Sequence, residues 1–321
     1  MKAGHFSAKI PGQLSAEINR PRPLKEAGRI TMMLDAVFGP DRFDRGPVDV
    51  ASLAVEYSAQ VAPEGPVHEV VERRLKGCVG ALVYSDTLPR QWAIMHDVGQ
   101  SPGRRAFTIG HELGHFVLHR RLIEEDERYD LGIYCDEDSI VRRNGTGIEK
   151  EADEFAANLL MPFHDFRRLL PAKERPDLEK LGAMAKRYGV SLTAAILRWL
   201  EYTETRALMV VSNEGFAHWA RASDAAFRSG RFIRTRNTVY ELPARAVAAT
   251  RDFSEEAKAG ILQPAGVWFP EPTVEMCLRS DRYDQEITLL HFEGSGPRFQ
   301  AEEEEQDVFD RFVSSGQLPV R

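Results

Sequence analysis

Phe107-Thr108-Ile109-Gly110-His111-Glu112-Leu113-Gly114-His115-Phe116-Val117-Leu118-His119 sets two imidazoles four residues apart, with a carboxylate directly after the first. On a helix, residues i and i+4 share a face, so His111 and His115 can grip one divalent cation together. Glu112 projects beside that pair, placed to take a proton from a water, which makes the segment half of a site for metal-assisted hydrolysis. The residues around it, Phe107, Ile109, Leu113, Phe116, Val117 and Leu118, suit a helix buried in a core rather than a solvated one.

A further ligand is expected from residues 147–162, a second helical stretch stopped by Pro162. Ala152, Phe155, Ala156, Leu159 and Leu160 follow the 3.6-residue period, and Glu149 extends that stripe toward the N-terminus. A carboxylate heading a buried stripe is unfavourable unless it is paired or binds metal, so Glu149 is the expected third ligand, with Glu151 in reserve. Asp153, one turn on, is placed to orient a ligating imidazole. A metal with three protein ligands and an open position for water needs no fourth, so His96 and His119 are read as structural or supporting residues.

The two stretches together resemble the ImmA/IrrE-type metallopeptidases. The resemblance runs over Phe-Thr-x-x-His-Glu-Leu-Gly-His-x-x-Leu-His at 107–119 and Glu-x-Glu-Ala-Asp-x-Phe-Ala-x-x-Leu-Leu-Met-Pro at 149–162, with a lead-in at 47–54. It spans roughly residues 45 to 200. It implies a zincin-like domain in which His111, His115 and Glu149 hold the metal and Glu112 is the catalytic glutamate. It also implies cleavage of a transcriptional repressor at a specific site, relieving repression after stress or a mobile-element signal. Two departures bear on substrate choice: an acidic insertion at 124–143, and Asp97 where members often have Asn.

Zinc suits a two-histidine, one-glutamate set, and manganese is also admitted by it. The expected partner is a protein substrate, a helix-turn-helix repressor. The rival reading is a metal-containing transcriptional regulator or sensor that binds DNA or a partner protein without proteolysis. An intact Glu112 favours the enzyme, because a purely structural site has no need of it.

The rest of the chain sets the context. Its 321 residues can bury more than one core, and a net charge of −7 with a pI near 5.8 argues against nucleic-acid binding through bulk positive charge. Cys78, Cys135 and Cys277 are few, odd in number and without metal-type spacing, so they read as incidental thiols of a reducing, cytoplasmic compartment. No apolar run reaches signal or transmembrane character, so no membrane is expected, and no feature indicates an oligomeric state.

The expected fold class is α+β: a zincin-like metallopeptidase domain, a helix-turn-helix-like helical segment and a β-containing C-terminal domain. Residues 1–23 read as a flexible arm and 24–170 as the metallopeptidase domain. Within it, helices are expected around Ile30 to Phe38 and after Asp49, then antiparallel strands at 78–84 and 91–96. The 91–96 strand is either an edge beside the metal that holds extended substrate, or an internal strand with Trp92 and Ile94 in the core. Residues 171–204 look like a helix-turn-helix. From 163 to 200 eight Lys or Arg stand against four acids, so the pair either binds DNA or closes the peptidase core. Residues 205–296 are expected to be β-rich, with a hairpin about Asn213-Glu214 and strands at 267–269 and 286–292. In some relatives such a module resembles a small-molecule sensor of the GAF type. Residues 297–321 read as an acidic tail.

Overall fold

The computed structural model describes residues 21–135, 147–236 and 238–294. The chain divides into two compact units, Met1–Trp199 and Leu200–Arg321. Residues 1–20 of the expected N-terminal arm, 136–143 of the acidic insertion and the whole acidic tail lie outside the described residues.

The first unit is built around helix α4 (Pro102–Glu125). Ser101 caps it by accepting from the Arg104 amide, and Pro102 occupies the first turn, where its missing N–H is not needed. Every residue from Phe107 to Phe116 is buried, so this helix is covered on all sides in the middle of the unit. Helices α1 (Pro23–Phe38), α2 (Arg42–Arg45) and α3 (Val50–Val61) precede it; Asp49 caps α3 through the Ser52 amide, as its sequence suggests.

A four-stranded sheet covers one side of α4, and helix α5 (Ile148–Leu160) packs along another. The α4–α5 contact is close because Gly110 and Gly114 lie one turn apart on the facing side. A Cβ on Gly114 would sit 3.1 Å from the Phe155 ring and 3.2 Å from the Ala152 backbone. Helix α1 packs on α5 with Ala27, Ile30, Thr31 and Leu34 inward.

The sheet contains β1 (Val67–Arg73), β2 (Gly80–Tyr84), β3 (Trp92–Asp97) and β4 (Gly132–Cys135), in the order β1-β3-β2-β4. Strand β3 runs parallel to β1 and antiparallel to β2. The expected β2–β3 pair is therefore present, but β3 is internal, with Trp92, Ile94 and His96 buried, and the edge-strand reading of 91–96 does not hold. The edge on the α4 motif side is β4, a strand inside the segment read as an acidic insertion. Its Gly132 stands opposite Val83 and its Cys135 opposite Gly80.

After α5 come α6 (Phe163–Leu169), α7 (Leu178–Tyr188) and α8 (Leu192–Leu200). Gly189 ends α7 in the left-handed conformation, and Ser191 begins α8 by accepting from the Ala194 amide. Both helices of the expected helix-turn-helix thus form. Helix α7 buries Leu178, Leu181, Met184, Ala185 and Tyr188, and Asp165 of α6 accepts from Arg168, Arg187 and Tyr188.

The second unit is a six-stranded antiparallel sheet of order β7-β6-β5-β10-β9-β8. Its strands are β5 (Arg206–Asn213), β6 (Phe216–Ala222), β7 (Tyr240–Glu241), β8 (Ile261–Gln263), β9 (Thr273–Ser280) and β10 (Gln285–Phe292). Short helices α9 (Asp224–Arg228), α10 (Val247–Thr250) and α11 (Glu255–Ala259) separate some of them. The β5–β6 hairpin turns on Glu214 and Gly215, both at positive φ, one residue later than the sequence suggests. Residues 267–269 do not form a strand; Phe269 makes an isolated bridge to Glu271, while Trp268 is buried in the core with Leu208, Cys277 and Phe292. No helix among the described residues is long and apolar enough to cross a membrane.

The closeness of β4 to β2 depends on Gly132, whose φ is +141° and whose added Cβ would lie 2.3 Å from the Leu82 carbonyl oxygen. Gly132→Ala is expected to lower stability by about 1–3 kcal/mol. Gly182→Ala, in α7 with open space around it, is expected to raise it by up to about 1 kcal/mol. Urea unfolding followed by far-ultraviolet dichroism measures both; equal midpoints for the two variants would contradict this reading of β4.

Candidate metal centre

His111 and His115 extend from the same face of α4, and their Nε2 atoms are 3.0 Å apart. Glu149 reaches them from the first turn of α5, with Oε2 at 3.3 Å from His111 Nε2 and Oε1 at 3.4 Å from His115 Nε2. Cys135, the last residue of β4, completes the group: one donor atom from each of His111, His115, Cys135 and Glu149 lies within 4.8 Å of every other. The two histidines are fully buried, Cys135 is buried and Glu149 is half-buried.

The outward-facing nitrogens decide which ring atoms are free. A carboxylate only accepts, so His111 Nδ1 donates to Asp153 Oδ1 at 2.9 Å, and in the neutral ring Nε2 carries a lone pair. His119 Nε2 donates to Glu151 Oε2 at 2.8 Å, which makes His119 Nδ1 an acceptor for His115 Nδ1 at 3.1 Å. His115 Nε2 is then a lone pair too. With both rings neutral, two nitrogen lone pairs and a carboxylate converge at 3.0–3.4 Å in a dry core, and such electron-rich atoms repel one another unless a cation or a proton lies among them.

Without a metal, a proton on His111 supplies that charge. Burial opposes protonation of His111, yet its hydrogen bonds to Asp153 and Glu149 outweigh burial and carry its pKa up to about 10. Burial, reinforced by the charge on His111, pushes His115 down to about 4. Glu149 is held well below the ordinary carboxylate range: burial works against its ionisation, but the hydrogen bonds to both histidines prevail.

Glu112 directly follows His111 and is fully buried, and apart from the neighbouring Cys135 thiol neither of its carboxylate oxygens has a hydrogen-bond partner among the described residues. Burial, offset in part by His111 and Cys135, pushes its carboxyl up to about 7. The room it occupies exists because residue 80 is glycine: a Cβ there would stand 2.4 Å from Glu112 Oε1 and 2.6 Å from Thr108 Cγ2. A buried carboxylate with no partner but a thiol, beside converging donors, fits a site built for a divalent cation and a water. The nitrogen, oxygen and sulfur donors suit zinc, and the two nitrogens with the carboxylate also admit manganese.

The structure thus brings His111, Glu112, His115 and Glu149 together, with Asp153 behind His111. Glu151, the reserve ligand, stands behind His119, and His119 stands behind His115. His96 lies on β3 outside this group, with Nδ1 3.4 Å from the Asp97 carbonyl oxygen. Asp97 accepts from the Leu75 amide at 2.7 Å, so it holds the loop after β1. Cys135 is the residue that sequence reasoning passed over as an incidental thiol. Its place is set by the Gly80–Cys135 register of β2 and β4, which no motif records; the only local hint is the alternation of Ile133 and Cys135 inward with Tyr134 outward.

Among known proteins, residues 68–200 match the family described as Peptidase_M78, IrrE N-terminal-like domain. A Mycobacterium tuberculosis transcriptional regulator of known structure aligns with 13% identity and a TM-score of 0.45, covering 84% of this chain and 80% of that one. No curated protein matches the chain by sequence. The matched stretch runs from β1 to the end of α8 and contains the whole donor group and Glu112. The match over residues 68–200 bears out the resemblance to the ImmA/IrrE family.

Proposed function

We propose that the first unit is a metal-dependent endopeptidase that cleaves a transcriptional repressor, with zinc or manganese held by His111, His115 and Glu149. The observation that carries this reading is the fully buried carboxylate of Glu112, which has no partner but the Cys135 thiol among the described residues, beside the donor group. A bound divalent cation there supplies a Lewis acid that polarises a peptide carbonyl and acidifies a water. Glu112 accepts the proton of the attacking water on a carboxylate oxygen and delivers it to the departing amine. Asp153 and the His119–Glu151 pair hold the two imidazoles in the tautomers that leave Nε2 available.

Strand β4 takes the place first considered for 91–96. It pairs with β2 on one side, so an extended substrate can add to its other edge by main-chain hydrogen bonds, with Leu131 and Tyr134 exposed to meet its side chains. The repressor as substrate rests on the family resemblance, and a cytoplasmic site of action fits three free cysteines. A second reading, a regulator with a structural metal, is favoured by Cys135, because four protein ligands describe a closed site.

Incubation of the zinc-loaded protein with helix-turn-helix repressors from the same genome, followed by mass spectrometry, tests the enzyme. A single cut made by the wild type and slowed about 10²–10⁴-fold in Glu112→Gln is expected. Metal retained with no cut in any repressor would favour the regulator. Gly80→Ala, by pushing on the Glu112 carboxylate, is expected to lower kcat/KM at least tenfold with metal content unchanged; full activity would show that Glu112 has freedom to move elsewhere. Asp153→Asn is expected to weaken zinc affinity about 10–100-fold in a competitive chelator titration, and an unchanged affinity would remove Asp153 from the site.

A further inference from the structure

We propose that Cys135 is a fourth ligand of the metal and occupies the position that catalysis leaves to water, so that the site rests in a closed form. The inference rests on the reading of His111, His115 and Glu149 as metal ligands. A tetrahedral ion at about 2.0–2.3 Å from each donor separates its donors by roughly 3.3–3.8 Å. The nitrogen and oxygen donors stand at 3.0–3.4 Å, and Sγ of Cys135 lies no more than 4.8 Å from each of the others, within about one ångström of that spacing.

The placement of the thiol is fixed by more than its own side chain. The Cys135 carbonyl accepts from the Val79 amide at 2.9 Å, and the residue faces Gly80, the position whose missing side chain makes room for Glu112. The thiol and the Glu112 carboxylate therefore look into the same small space from β4 and α4. A thiolate bound there fills the fourth position of a two-nitrogen, one-oxygen, one-sulfur set and leaves Glu112 without a water to act on.

Cys135 also sits on β4, which pairs with no strand but β2 among the described residues. A peptide pairing with β4 acts directly on the backbone that carries the closing ligand, so substrate engagement and opening of the site are coupled through one strand. With a metal bound, release of Cys135 would take up one proton from solvent and open its position to water, while His111, His115 and Glu149 would continue to hold the ion.

Cobalt substitution reads the bond directly, because a thiolate on cobalt(II) gives an intense near-ultraviolet charge-transfer band. The full-length protein loaded with cobalt is compared with Cys135→Ser and with Cys78→Ser, the latter a control for the other thiol of this unit. The band is expected in the wild type and in Cys78→Ser and to be lost in Cys135→Ser, which should still bind one cobalt through the remaining ligands. Cys135→Ser is also expected to cleave substrate at least tenfold faster than the wild type. A wild type that binds cobalt without the band overturns the ligand assignment, even if it cleaves repressor. A band that depends on Cys135, in a protein where neither form cleaves any substrate, upholds the ligand and removes the peptidase. A band together with slower cleavage by Cys135→Ser overturns the closing role.

Discussion

Two imidazole lone pairs and a carboxylate held 3.0–3.4 Å apart in a dry core repel one another unless positive charge lies between them, and the rest of the first unit is arranged to keep them there. Helix α4 contributes the nitrogens and α5 the carboxylate. The two helices come close enough for this because Gly110 and Gly114 present no side chain to Ala152, Phe155 and Ala156. The sheet closes the third side through β2 and β4, where Gly80 and Cys135 stand opposite each other. Burial that is unfavourable for charged groups taken singly is what makes a bound cation stabilising here, since a ligand that binds only the folded form adds its binding energy to stability.

How much of this the sequence discloses depends on whether the information is local. The His-Glu-His segment is contiguous and its spacing carries its own geometry, so both histidines and Glu112 are legible at once. Glu149 is legible one step further, because a helical stripe gives its direction without naming what it faces. Asp97 shows the reverse: a position marked as a departure from the family turns out to hold a loop amide, away from the donor group. Cys135 is not legible, since its proximity to the histidines depends on a register between strands about fifty residues apart. Strand β1 also escapes notice, because His68, Glu69, Glu72 and Arg73 face outward and leave no apolar alternation. In the second unit β9 is concealed by Glu275, a fully buried carboxylate that accepts from Gln263 Nε2 at 2.8 Å and the Val247 amide at 2.9 Å.

The second unit has its own logic. Its antiparallel sheet is covered by short helices, and a buried charged cluster in it is structural: Arg206 is almost fully buried and donates to Ser229, Glu271 and the Glu293 carbonyl, while Arg231 also donates to Glu271. Such a network specifies one packing of β5 against its neighbours, because a charge left alone in that setting is strongly destabilising. The donors and the buried glutamate of the first unit all lie within residues 68–200.

The central claim is that a divalent cation lies among His111, His115 and Glu149. Anomalous diffraction from crystals grown with zinc, recorded on both sides of the zinc absorption edge, locates the ion without reference to activity. A single strong peak is expected within bonding distance of His111 Nε2, His115 Nε2 and a Glu149 carboxylate oxygen. A protein that takes up zinc but shows its peak elsewhere, with these three side chains still hydrogen-bonded to one another, would contradict it.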